Sequence, residues 1–479
     1  MNHFDVIVVG AGISGIGAGY YLGARCPSRT YAILEGRAAI GGTWDLFRYP
    51  GIRSDSDMYT LGFAFAPWTQ GKAIADGPSI LHYLEETARR FDIDRHIRLS
   101  HQVRKARFSN ADDRWTLDVD TEDGPTQLTC NFLFMCAGYY DPDDGYTPDF
   151  EGTGDYRGRI VHPQKWTSDV DYAGKRVVVI GSGATAITLV PELAKKAEHV
   201  TMLQRSPTYI VSLPEVDAVA ERLRARLGDK TAYAMTRVKN VLFAQAFYQA
   251  CKRAPRQMKK MILDATRKEL GPSVELEPHF VPSYDPWDQR VCFAPDGDFF
   301  EPVRSGKVTV VTDHIERFTE RGILLRSGQE LEADLVVTAT GLRVRFLGGV
   351  EVYVDDQRIR ASEHMTYKAM MLSDVPNLAL AFGYTNASWT LKVDITCEYV
   401  CRLLNHMERH GQTRCTPRTH GEPIGEERFV DLSSGYIDRA LDQLPKQGSR
   451  APWKLKMNYL RDYATVKLGK LEDGVLELR

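Results

Sequence analysis

No apolar run in this 479-residue chain approaches the ~18 residues that a membrane span needs. The opening stretch has Asp5 where a secretory leader would carry lysine or arginine, so the expectation is a cytoplasmic chain that begins at its first core strand. Neither sign of charge is in excess: 61 Lys and Arg against 63 Asp and Glu leave a net −2. Nothing therefore draws the whole molecule to nucleic acid or to acidic lipid. Cysteine is scarce, eight residues without regular spacing, which excludes a disulfide framework. Cys397 and Cys401, one helical turn apart, read as two small buried residues on a helix face rather than as a redox pair. The histidines show no metal-type spacing, and no metal is expected.

What is present is glycine placed where phosphates bind. Gly10, Gly12 and Gly15 stand in GAGISG, straight after the apolar strand Val6 to Val9 and before a helical stretch from Ile16. The first glycine permits the tight turn, and the second lets backbone approach a pyrophosphate. The third lets helix and strand pack closely, with the helix N-terminus facing the negative charge. A lone motif of this kind is weak, but the next strand, Tyr31 to Leu34, ends in Glu35, where a carboxylate can accept both ribose hydroxyls. A second cradle, Gly181, Gly183 and Ala186 in GSGATA, follows Val177 to Ile180. At the end of its second strand, Val200 to Leu203, the position of the acid holds Gln204-Arg205-Ser206. Arginine beside a hydroxyl suits a 2′-phosphate. The first site is thus expected to hold FAD and the second NADPH, a pairing that moves electrons from nicotinamide to flavin. Disulfide reductases share the plan but need a cysteine pair at the flavin, and no cysteine lies between Cys26 and Cys130.

The expected fold is α/β, with two nested Rossmann-like dinucleotide-binding domains. An FAD domain takes residues 1–144 and 346–479, and an NADPH domain takes 145–345. Gly138 to Gly158, rich in Gly, Asp, Pro and Tyr, reads as linker. Inside the second domain, about 212–285, lies a helical and strongly basic insert, from Arg222 to Lys260, read as the solvated face of helices in preference to a membrane or nucleic-acid surface.

Several segments resemble the type I Baeyer–Villiger monooxygenases. GGTWDLFRYPGIRSD, from Gly41 to Asp55, matches a family segment, and YRGRIVHPQKW, from Tyr156 to Trp166, resembles the family fingerprint through Gly158, His162 and Trp166, with Tyr156 for the usual Phe. DSDMYTLGF, DPWDQR, GYTNASWTLK and LPKQGSR look like the ethionamide-activating branch, and the likeness runs over nearly the whole chain. The resemblance implies NADPH-driven insertion of one oxygen atom of O₂ into ketones to give esters, with sulfoxidation of thioethers or thioamides beside it. It implies Arg290, in PWDQR, as the catalytic arginine and Asp55 as its orienting partner; Gln289 replaces a lysine common in the family. A permanent guanidinium there would stabilise developing anionic oxygen. The implied FAD contacts are Ser14, Thr43, Trp44, Asp45, Leu46, Asp55 and, on the adenine side, Val103. The implied NADPH contacts are Arg53, Ser54, Asp55, Gly181, Ser182, Gly183, Ala184, Thr185, Ala186, Ile187, Arg205 and Ser206. His162 is read as a hinge or packing residue, not as an acid or base. Two alternatives stand beside this reading: a flavin-dependent N- or S-oxygenase without ketone chemistry, and a nucleotide-binding redox sensor without turnover. Arg290 itself has a bland alternative as a surface partner of Asp285 or Asp288.

Overall fold

The computed structural model describes residues 2–430, 433–455 and 457–479. Two parallel-cored sheets organise it. In the first, the strand His3–Val9 lies between Tyr31–Leu34 and Gly124–Met135, parallel to both. Val6, Ile7 and Val8 are fully buried, as expected of a strand covered on both faces. Helix α1, Ile13–Arg25, follows the first strand through the glycine turn. The strand Gly124–Met135 changes character along its length. Its first eight residues alternate between more and less exposed positions, and most of them pair antiparallel with Arg114–Thr121; its last four residues are all buried, inside the parallel core. Two strands from the far end of the chain return to this sheet: Glu351–Val354 beside Gln102–Ser109, and Leu378–Leu380 beside Gly124–Met135, both parallel.

The second sheet is parallel throughout, in the order Val308–Thr312, His199–Gln204, Arg176–Ile180, Leu335–Thr338, Arg159–Val161. Helix α2, Ala184–Ala194, rises from the second glycine turn. The stretch read as linker contains a strand: Tyr140–Gly145 pairs antiparallel with Leu342–Val344, Gly145 opposite Leu342. Turn-forming residues tolerate this because the pair is a two-stranded ribbon with an irregular register, where Pro142 can sit without breaking a central ladder. The chain leaves and re-enters the first unit through this ribbon.

The basic insert forms α3, Ala218–Leu227, α4, Asp229–Arg253, and α5, Pro255–Leu270. Its charges divide into two groups. Arg237 is largely covered, its side chain 12% exposed; its guanidinium donates to the carbonyls of Tyr59 (2.9 Å), Thr60 (3.1 Å) and Gly62 (2.7 Å) and to Asp394 (3.1 Å). Those carbonyls belong to the short helix Met58–Leu61 and its cap, whose C-terminal dipole favours a cation. Arg237 thereby fastens the insert to the first unit. Arg222, Arg226, Lys230, Arg256 and Lys260 stay on the surface, as a solvated helix face would have them. Helix α6, Trp389–His410, packs along α1, and α7, Tyr459–Leu468, packs along α6. Cys397 and Cys401 are buried on α6, and all eight cysteines are free. No helix among the described residues is long and apolar enough to cross a membrane.

Candidate active site

The first glycine cradle is built by close backbone approach. Gly10 has φ +101°, and a Cβ on it would fall 2.7 Å from the carbonyl oxygen of Cys136, at the end of the neighbouring strand. A Cβ on Gly15 would sit 1.8 Å from the Gly10 carbonyl, so helix and strand could not pack with any other residue there. Gly12 and Gly42 face each other, with a Cβ on Gly42 only 3.1 Å from the Gly12 Cα. Gly12 caps α1 and supplies no side chain, which leaves the first-turn N–H groups of the helix free for an anion. Glu35 closes the cradle from the second strand: Oε2 accepts the Ala11 amide at 2.7 Å and Oε1 the Arg37 amide at 3.1 Å. Burial pushes this carboxyl above its usual range, and those two amides and the Arg37 charge pull it back. A glycine-lined slot, an uncapped helix N-terminus and a buried carboxylate at the second strand fit the pyrophosphate and ribose of a dinucleotide such as FAD.

A cavity of about 360 Å³ runs from this cradle into the region between the two sheets. At the cradle end it is lined by Gly10, Gly12, Ser14, Glu35 and Val103; further in come Thr43, Trp44, Leu46, Arg53, Ser54 and Asp55. Arg290 also lines it, and its Nη2 lies 3.1 Å from Oδ2 of Asp55. The two side chains are 38% and 31% exposed, an exposure that opens into the cavity. The Asp55 charge holds the Arg290 guanidinium far above its usual value against the opposing effect of burial, so it stays a cation. Arg290 follows a turn at residues 285–288, in which the Asp288 amide donates to Asp285 O at 3.1 Å, and leads into the strand Cys292–Pro295, which pairs with Ile210–Leu213. Asp288 is engaged by Lys252 at 2.9 Å, which removes it as a surface partner for Arg290. Tyr139, Tyr140 and Tyr436 stand within electrostatic reach of Arg290 and share the cavity wall.

Other expected residues lie differently. The Asp45 side chain is outside the cavity lining; it binds Arg37 and, at 2.6 Å, Arg48. It acts on the cradle through Arg37, which does line the cavity and whose Nη1 also donates to Gly42 O at 3.2 Å. Arg53 lines the cavity but is committed to Asp298 through both terminal nitrogens. In the second cradle, Gly181 has φ +130°, and a Cβ on it would fall 2.3 Å from Ala339 O. That repeats the relation of Gly10 to Cys136. A Cβ on Gly183 would meet nothing within 4 Å, and Gly183 caps α2 without a side chain. Ala184 and Thr185 reach the cavity; Gly181, Ser182, Gly183, Ala186, Ile187, Arg205 and Ser206 do not. Ser182 Oγ donates to Ser206 O at 2.9 Å, tying the glycine loop to the end of the next strand. Arg205 is exposed there and makes no hydrogen bond or ion pair with any described residue. His162 sits between the ribbon strands: Gln164 N donates to Nδ1 at 3.2 Å, so the proton lies on Nε2, which donates to Gly341 O at 3.1 Å. Burial pushes it below the usual histidine range and keeps it neutral, as suits packing rather than acid–base work.

Motif reading missed the aromatic wall of Tyr139, Tyr140, Phe382, Tyr384, Trp389 and Tyr436. One signal was available: Trp389 and Tyr384 lie in GYTNASWTLK, and Trp389 Nε1 donates to Ser14 Oγ at 2.8 Å, joining that segment to the first cradle.

Residues 7–245 match the family described as pyridine nucleotide-disulphide oxidoreductase. Cys136 is the one cysteine among the cavity-lining residues. The chain is 54% identical over 473 residues to the FAD-containing monooxygenase EthA of Mycobacterium tuberculosis, covering 98% of this chain and 97% of that one. It is 52% identical over 476 residues to EthA of Mycolicibacterium smegmatis, covering 99% and 97%. Among solved structures, an oxidised steroid monooxygenase bound to NADP superposes with a TM-score of 0.79 at 22% identity, covering 99% of each chain, a likeness of fold.

Proposed function

The chain belongs to the FAD-containing monooxygenases, and from that premise we propose that it inserts one oxygen atom of O₂ into ketones to give esters, with oxidation of thioether or thioamide sulfur beside it. NADPH supplies the two electrons, and the second oxygen atom leaves as water. The observation that carries the reading is the Arg290–Asp55 ion pair inside a cavity that continues into a dinucleotide cradle.

FAD would be held by the Gly10–Gly12–Gly42 slot, the N-terminus of α1 and Glu35, and when bound it supplies electron storage and oxygen activation. Beyond that, the work falls to this chain's own groups. Arg290 is charged and pre-oriented by Asp55, so negative charge developing on a carbonyl oxygen meets a cation already in place, with no reorganisation at the moment of reaction. Ala184 and Thr185, at the head of α2, bring the second cradle to the same cavity, which suits hydride delivery from NADPH. Its 2′-phosphate would fall to the free Arg205, exposed at the end of the strand that follows the second cradle.

The test is a ketone panel with purified protein, scored for ester formed per NADPH consumed, with hydrogen peroxide assayed in parallel. Arg290→Ala should bind FAD and oxidise NADPH, yet lose ester formation by about 10²–10³-fold, the scale of a deleted oxyanion-hole donor, and release hydrogen peroxide instead. Arg290→Lys keeps the charge without the planar fork and should recover part of the loss. Normal ester yield in Arg290→Ala would leave the simple N- or S-oxygenase as the better reading.

A further inference from the structure

Tyr384 is buried in the cavity wall, and its hydroxyl donates to Oδ2 of Asp462 at 2.5 Å. The same carboxylate oxygen accepts Lys392 Nζ at 2.8 Å. Lys392 is 0% exposed and also donates to Lys368 O at 2.9 Å. Asp462 lies in the first turn of α7, so the C-terminal helix reaches the cavity wall through this carboxylate. A buried ammonium persists only beside an ionised partner. Asp462 is therefore a carboxylate, an acceptor with no proton to give. A phenol has one proton, and that of Tyr384 is spent on Asp462. Burial and the facing carboxylate hold the phenol well above its usual range, so it does not ionise. Tyr384 thus lines the cavity with no donor to offer it.

The Arg290 end is the reverse. The Tyr139 hydroxyl donates to Tyr140 Oη at 3.0 Å, which leaves the hydroxyl protons of Tyr140 and Tyr436 and the guanidinium N–H groups as donors in one cluster. We propose that Lys392 and Asp462 hold Tyr384 as an acceptor-only wall, a specificity-determining residue that turns a substrate carbonyl away from itself and toward Arg290. The cavity then has two poles. Its preferred substrate is neutral, with a carbonyl or thiocarbonyl at the Arg290 pole and an O–H or N–H group at the Tyr384 pole. The substrate class rests on the monooxygenase reading above; the polarity rests on the hydrogen bonds.

The test uses the oxidised, FAD-loaded protein and straight-chain ketones of increasing length, each with and without a terminal hydroxyl. Binding is followed by flavin absorbance, and ester per NADPH is measured beside it. At some chain length the terminal hydroxyl should tighten Kd at least threefold in the wild type. Tyr384→Phe should abolish that advantage, bringing Kd for the hydroxyl-ended ketone to that of its plain counterpart. The paired change Asp462→Leu with Lys392→Met removes both charges together and frees the phenol proton. It should tighten Kd for plain ketones threefold or more and cut ester per NADPH, and adding Tyr384→Phe should cancel both effects. A hydroxyl advantage absent at every length, or one that survives Tyr384→Phe, overturns the proposal. Because binding is read without turnover, a wild type that makes no ester but keeps the hydroxyl pattern would sink the ketone oxygenase reading and leave the polarity standing.

Discussion

At the scale of single residues, the two cradles differ most where their second strands end. Glu35 is buried and tied to two backbone amides, while Arg205 is exposed and unpartnered. A guanidinium with no competing carboxylate is available to a phosphate. Arg205→Ala should therefore raise KM for NADPH by an amount worth about 1.5–3 kcal/mol, the range for a hydrogen bond to a charged group, and barely change KM for NADH. Steady-state kinetics with both nucleotides decides it, and equal loss for both would remove Arg205 from phosphate recognition. Residue identity was legible in the sequence where the backbone demanded it. Gly10 and Gly15 can be nothing else, because a carbonyl lies where a Cβ would go. For Asp45 the motif gives the position and not the direction of the side chain, which two nearby arginines claim. For Tyr384 the segment GYTNASWTLK gives its place but not its partner: Asp462 lies far along the chain, and no spacing rule joins them.

At the scale of elements, the His162 segment and α4 act as fasteners. His162 bridges its own turn to Gly341, and a Cβ on Gly145 would collide with the ring, so imidazole and ribbon are packed face to face. His162→Ala should leave FAD bound and slow turnover, since the ribbon carries any movement between the two sheets. Wild-type turnover and ester yield in this variant would show that the ribbon needs no such packing. On α4, Arg237 joins the insert to the first unit beside Asp394, whose carboxyl is pushed up to about 6, mainly by burial and against the pull of Arg237. An acid with a raised folded-state value binds protons more tightly folded than unfolded, so stability falls as pH rises from the unfolded value near 3.8 through about 6. Asp394→Asn, a neutral mimic of the protonated form, should gain on wild type by on the order of 2–3 kcal/mol between pH 4 and pH 7. Thermal melts of both proteins across that range would show it, and parallel curves would contradict it. The elements themselves were largely readable: Tyr31–Leu34 and Leu335–Thr338 fall where their apolar runs lie, because strands buried on both faces carry few polar residues to blur the pattern. The strand Tyr140–Gly145 was hidden by its Asp, Pro and Gly content, which reads as loop until its partner at Leu342–Val344 is known.

At the scale of the whole molecule, the sequence showed two nucleotide folds in succession, but not how they meet. The cavity draws residues from the N-terminal cradle, from Asp55, from the head of α2, from Arg290 and from Tyr436, contributions scattered along almost the full chain. Only local patterns can be seen one residue at a time; convergence is a property of the folded object. The ribbon that links the two units also has a consequence for protein engineering. Gly145 and Leu342 are ladder neighbours, so the chain leaves and re-enters the first unit at nearly the same point. Everything between them is a loop in the topological sense, and loop closure costs little once the ends already touch. A gene in which residues 146–341 are replaced by a short glycine-containing turn should encode a miniature flavoprotein that folds around the first sheet. Yellow colour retained after gel filtration would be the sign of success, and an apoprotein that cannot be loaded with FAD would show that the first unit depends on its guest. The larger protein would then be a host that accepted a whole second fold at one hairpin.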